Sequence, residues 1–287
     1  MTTILAPDPQ AFKAAQRTQW DRSAAGWNAH APQIRAWLRP VTDAMMEMAR
    51  IAPGMAVLDL AARAGDQTLD IARRVGPAGR VLATDLSPAI LELARRNARH
   101  AGLDHVETRV ADGESLPLDA ASFDAAVCRL GLMFFPDPLA GLRELHRVLR
   151  PGAGACTVVF SRPESNPCLG ILMSTALAHA GLPARDPLQP GALMSLGAPG
   201  RLDELFRQAG FRDVATTAVA APFRLPSVAH YLDFIRSSAS PIQQILGRLD
   251  AAAAQAAWDE MAAKLERFGT ADGWVGPNEL LLTAARR

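Results

Sequence analysis

Between Ala56 and Ser161 five short apolar runs alternate with helix-forming stretches, and this alternation limits the fold more than any other feature. The runs are Ala56–Leu60, "RVLATD" (80–85), "VETRVAD" (106–112), "FDAAVCRL" (123–130) and "ACTVVFS" (155–161). Turn formers punctuate them: Pro53-Gly54 before the first, "GPAG" before the second and Arg150-Pro151-Gly152 before the last. Helices are predicted over 66–74 with Asp66 as cap, over 89–100 behind Ser87-Pro88, and over 139–149 behind Pro136-Asp137-Pro138. Strands separated by single helices pair in parallel through right-handed crossovers.

After Ser161 the rhythm breaks. Turn-rich segments bracket a predicted helix over 169–180, "GRLDELFRQAGF" reads as a helix ending at Gly210, and "FRDVATTAV" reads as a sixth strand. A helical insertion follows over 227–268, with Trp258, Met261, Leu265 and Phe268 on one face, and "NELLLTAAR" is a last strand. Upstream, helices are predicted over 10–20 and 41–49. The expected architecture is a doubly wound, seven-stranded, mostly parallel α/β sheet with a helical cap. Its parts are one domain over 1–287: a helical lid at 1–50, a first half at 51–160, and a second half at 161–287 whose insertion spans about 223–276.

Composition narrows the function classes. A net charge of +1 gives no electrostatic reason to bind nucleic acid or an anionic membrane. Cys128, Cys156 and Cys168 form neither a C-x-x-C pair nor a disulfide framework, and no metal-ligand spacing appears. No run of apolar residues is long enough to span a bilayer, and the first residues lack a basic segment followed by an apolar one. The default expectation is a cytoplasmic protein with a small-molecule partner, and a homodimer is compatible with it.

The chemistry lies at the strand ends. Asp59 closes the first strand, Asp85 the second and Asp112 the third. Ligands of open parallel sheets bind beyond the carboxyl ends of the strands, and an acid about twenty residues past the first turn suits a ribose. A carboxylate accepts hydrogen bonds from both vicinal hydroxyls. The competing reading is that Asp85 only opens the loop before the Ser87 cap. Asp112 can accept from an exocyclic adenine amine, and Gly113 keeps the adjacent backbone uncrowded.

Together, "VLDLAARAG", "VLATDLSPAILELARRNA", "VADGESLPLDAASFDAAVCRLGLMFF" and "LRELHRVLRPGAG" resemble the class I S-adenosylmethionine-dependent methyltransferases, in particular the UbiE/COQ5-like branch, over about Val57 to Phe160. The later "GRLDELFRQAGFRDV" and terminal strand are similar but less specific, and "WDRSAAGWN" resembles the helix that closes over the cofactor. The resemblance implies S-adenosyl-L-methionine as cofactor and places Trp27, Asp59, Ala61, Gly65, Asp85, Leu86, Asp112, Gly113 and Arg129 around it. Arg129 has a second reading, an edge arginine paired with Asp124 or Asp137.

The family loop D-x-G-x-G-x-G reads here Asp59-Leu60-Ala61-Ala62-Arg63-Ala64-Gly65. Alanine at position 61 is a modest change if its φ is negative, whereas Arg63 would obstruct the methionine moiety or strain a positive φ. Arg63 is expected to face solvent or the cofactor's carboxylate; otherwise the chain is a degenerate methyltransferase with a binding role. A dinucleotide-dependent oxidoreductase needs G-x-G-x-x-G, and "AARAGD" offers one glycine. The expected reaction is in-line methyl transfer to a small hydrophobic or aromatic acceptor, given the apolar cap with Tyr231, Phe234, Trp258 and Met261. Of six histidines, His30, His179 and His230 fall in segments that would roof a pocket, and none is singled out as a base.

Overall fold

A computed structural model of the chain describes residues 8–238 and 240–287, without the side chains of residues 9, 23, 25, 27, 28 and 240. Two helices, α1 (Pro9–Ala29) and α2 (Ala31–Met48), precede the alternating core. The core runs β1 (Ala56–Leu60), α3 (Asp66–Val75), β2 (Arg80–Asp85), α4 (Pro88–His100), β3 (Val106–Val110), β4 (Phe123–Arg129), α5 (Pro138–Val148) and β5 (Leu149–Phe160). Then come α6 (Pro167–His179), α7 (Arg201–Gln208), β6 (Arg212–Ala220), β7 (Phe223–Leu225), α8 (Val228–Ser238), α9 (Ser240–Leu246) and α10 (Ala251–Leu265). Three strands complete the chain: β8 (Gly269–Thr270), β9 (Gly273–Gly276) and β10 (Glu279–Arg286).

Seven strands form one sheet in the order β3-β2-β1-β4-β5-β10-β6. Strands β1 to β5 pair in parallel, and β10 enters antiparallel to both β5 and β6. All five residues of β1 are buried, as expected for a strand covered by helices on both faces. Ser87 caps α4 by accepting from Ile90 N at 3.1 Å, and Asp137 caps α5 by accepting from Ala140 N at 3.0 Å.

Four local expectations change. The cap of α3 is Gly65, left-handed at φ 83°, so Asp66 sits inside the first turn with its carboxylate free for another partner. α1 and α2 extend well beyond 10–20 and 41–49 and break only at His30. Leu149 belongs to β5, which follows α5 directly. The insertion also carries a small sheet, β7-β9-β8, whose strands of two to four residues are too short for a periodic signal.

Asn166, fully buried, joins the start of the cap to the sheet. Its Nδ2 donates to Ser161 Oγ, Arg162 O and Glu279 O, and its Oδ1 accepts from Glu279 N, at 3.1–3.2 Å. Asn166→Ala would remove the side-chain acceptor of Glu279 N at the entry of β10, while Glu279 O keeps the donor Ser161 N. Chemical denaturation should show a loss of about 2–4 kcal/mol.

Candidate functional site

The turn from β1 into α3 is organised by a carboxylate that meets no solvent. Asp59 is 0% exposed and accepts from Gln67 Nε2 and Thr68 Oγ1, both at 2.6 Å. Burial raises its pKa to about 6, against the pull of those two donors and the Arg129 charge. Ala62 N donates to Thr84 O at 2.9 Å, which ties the turn to β2. The backbone is left-handed at Ala61 (φ 56°), Arg63 (55°) and Gly65 (83°), and again at Leu130 (57°) beyond β4. Ala61 therefore does not take the negative φ that would have made it a mild substitution. The loop keeps a glycine-type path at two positions that lack glycine, each strained by about 1–3 kcal/mol. Gly65 is required on a second count, because a Cβ there would come within 2.9 Å of the Ala94 Cβ.

A slot of about 50 Å³ opens beyond the strand ends, walled by Leu60, Ala61, Leu86, Ala111, Phe134 and Phe135, with Asp85 and Arg63 as its charged groups. Gly113 and Gly131 complete it; a Cβ on the first would overlap the Phe135 ring, and one on the second would overlap the Ala61 Cβ. Asp85 accepts from Ser87 N at 3.0 Å and Arg63 N at 3.1 Å, while burial raises its pKa. Asp112 stands at the rim and accepts from Glu114 N at 3.0 Å.

α1 crosses the mouth of this slot with one stripe, residues 13, 16, 20 and 24, at helical spacing. Lys13 Nζ reaches Asp112 Oδ2 at 2.6 Å and Glu114 Oε2 at 2.5 Å. Desolvation lowers the Lys13 pKa, and the two carboxylates outweigh it to leave a net rise. Gln16 and Trp20 line the slot, and Trp20 meets Phe134 edge-on at 5.6 Å. Ala24 packs against Ala64, Ile90 and Leu93. Asp21 accepts from Ser87 Oγ at 2.5 Å, strapping the helix to α4. Lys13, Gln16 and Trp20 were missed by sequence reasoning; their signal is the stripe, and they already lie within the helix predicted over 10–20.

Of the residues expected around the site, Ala61, Asp85, Leu86 and Gly113 line the slot and Asp112 flanks it. Asp59 and Gly65 shape the loop from behind. Trp27 lies in α1 with its side chain outside the described residues. Arg129 takes neither expected place. It is 1% exposed, donates Nη2 to Asp66 Oδ2 at 2.5 Å and Nη1 to Thr42 Oγ1 at 2.6 Å, and so braces α2 against the start of α3. Asp124 pairs with Arg150 instead, and Asp137 is a helix cap. Arg63 does not face bulk solvent: it is 7% exposed, and its Nη2 donates to Leu130 O at 2.7 Å. Burial and the neighbouring Arg129 lower its pKa to about 10.

Two larger cavities flank α2. One, about 820 Å³, lies between α2, α3 and α4 and is lined by Ile34, Arg35, Arg63, Asp66, Asn97 and His100 among others. The other, about 440 Å³, is mostly apolar, with Ile34, Trp37, Val41, Phe223, Leu225 and Phe234 in its wall. Tyr231 and Met261 are buried within the cap. Among the described residues no histidine lines the slot, and no group of His, Cys, Asp and Glu could hold a metal ion. No described helix is long and apolar enough to cross a membrane.

Comparison with known proteins adds to this geometry. The profile of the ubiE/COQ5 methyltransferase family matches residues 32–173. Over 166 residues the chain is 30% identical to a demethylmenaquinone methyltransferase of Lactococcus lactis, covering 55% of this chain and 66% of the relative. Over 132 residues it is 36% identical to the ubiquinone/menaquinone biosynthesis C-methyltransferase UbiE of Idiomarina loihiensis, covering 46% and 51%. The chain thus spans about half to two thirds of these relatives. The fold is shared with Haemonchus contortus phosphoethanolamine N-methyltransferase 2, solved with S-adenosyl-L-methionine, at a TM-score of 0.54 and 16% identity over 86% of this chain and 52% of that one.

The raised Asp59 pKa sets a sign for stability. The folded state holds that proton up to about pH 6, whereas the unfolded carboxyl releases it near 3.8, so the folded chain loses stability as pH rises through 6. Relative to Asp59→Asn, the natural chain should lose on the order of 1 kcal/mol between pH 5 and pH 8, measured by urea denaturation at both.

Proposed function

Because this chain belongs to the ubiE/COQ5 methyltransferase family, within the class I S-adenosylmethionine-dependent enzymes, we propose that it methylates a small apolar or aromatic acceptor. The observation that carries this reading is Asp85 in an apolar slot beside a left-handed loop, with Asp112 between the slot residues Ala111 and Gly113. The donor set fits an adenosine: Asp85 for the ribose hydroxyls, Asp112 for the adenine amine, and Leu60, Leu86, Ala111 and the two phenylalanines for the ring faces. Gln16 Oε1, buried at the slot with no hydrogen-bond partner among the described residues, is a further acceptor. The room does not match the donors, since ligand pockets hold about 300–1,000 Å³ and Trp20, Gln16 and Arg63 crowd this one to about 50 Å³.

S-adenosyl-L-methionine, when bound, supplies a methyl group on a sulfonium with a good leaving group. The protein's share is positioning and exclusion of water, which can lower such a barrier by about 7–11 kcal/mol. Phe134, Phe135 and Trp20 supply the dry walls. With no histidine lining the slot among the described residues, an acceptor that is already nucleophilic, such as the electron-rich ring carbon of a hydroquinone, suits the site best. The names of the relatives point the same way, and the 440 Å³ apolar cleft suits an attached hydrocarbon tail. A binding role without methylation accounts less well for carboxylates kept at both strand ends.

Titration calorimetry with S-adenosylhomocysteine tests the cofactor. Binding is expected, and Asp85→Asn should weaken it about 10–100-fold, the worth of charge-assisted hydrogen bonds to the ribose. No heat at millimolar ligand would remove the proposal. Transfer of labelled methyl to a short-chain naphthohydroquinone tests the acceptor class.

A further inference from the structure

Arg63 is the one loop substitution that puts a large charged side chain into the slot. The residue lines both the 50 Å³ slot and the 820 Å³ cleft and so stands between them. On the slot side it bonds Leu130 O at 2.7 Å, bridging the β1 loop to the β4 exit, and lies 5.3 Å from the Trp20 ring centroid. That placement clamps α1, the loop and the β4 exit together across the space the cofactor must enter. On the cleft side Asp66, whose charge already acts on Arg63, and the open volume between α2 and α4 offer a second place for the same side chain.

Resting on the cofactor reading above, we propose that Arg63 is a gate: its guanidinium occupies part of the cofactor's space and swings into the adjoining cleft to admit it. The backbone does not need to move, because a change of side-chain rotamer transfers the guanidinium from one cavity to the other. Entry then requires breaking the bond to Leu130 O and the contact with Trp20, which taxes cofactor affinity. Once withdrawn, Arg63 leaves the Leu130 carbonyl available and gives up its contact with Trp20. A ligand role for Arg63 would have the opposite signature, since a guanidinium holding the cofactor's carboxylate becomes more shielded on binding.

The test uses the full chain, S-adenosylhomocysteine as probe and two variants. Glycine suits the φ of 55° at this position, so Arg63→Gly keeps the loop path, and Arg63→Ala serves as a second variant if melting without ligand shows the first to be unfolded. Calorimetry should give at least tenfold tighter binding for Arg63→Gly than for the natural chain. Modification by phenylglyoxal, mapped by peptide mass spectrometry, should show Arg63 reacting faster when the probe is bound. Equal or weaker binding by the variant, or protection of Arg63 by the probe, would overturn the gate while leaving the cofactor reading intact. Absence of binding by both natural chain and variants would instead overturn the cofactor reading, and the gate with it.

Discussion

The hydrogen bonds from Gln67 and Thr68 to the sealed Asp59 carboxylate are the joint on which the site turns. They fix the first turn of α3 to the end of β1, and with it the left-handed path through Ala61, Arg63 and Gly65. That path aims Arg63 N at Asp85, so the acid at the end of β2 is oriented by the same turn. An acid without water survives there because donors from the following helix reach it; the residual penalty appears as a pKa near neutrality rather than as a broken fold.

Around this joint the charges are arranged in mutually dependent pairs. Arg129 holds Asp66 and Thr42, connecting α3 to α2, while Lys13 holds Asp112 and Glu114, connecting α1 to the end of β3. The first pair lies deep and removing one partner would strand a charge, so it acts as architecture. The second lies nearer water, with the Asp112 side chain 30% exposed, and is open to competition by solvent and salt. The lid is therefore fastened less firmly than the floor.

Much of this was legible in the residues themselves. The alternating runs announce β1 to β5, Ser87-Pro88 announces α4, and of the acids at successive strand ends Asp85 is the one that lines the slot. Other parts were hidden for physical reasons. Ala61 conceals a left-handed backbone that only glycine advertises. β8, with two residues, has no periodicity to read. Gly26 masks the continuation of α1, although that glycine is where the helix touches the Ser237 backbone. Arg129 finds Asp66 across 63 positions, a distance no local pattern spans.

The position of β10 bears on how such a molecule is made. β6 has no other neighbour in the large sheet, and β5 has only β4 on its remaining side. A ribosome delivers β10 after every strand it joins, so during synthesis the "CTVVF" run of β5 waits with one bare, apolar edge. Such edges recruit the wrong strands, from the same chain or another. The nascent protein thus passes through a sticky interval that ends only when β10 closes the gap, and growth conditions that slow translation of that segment prolong it.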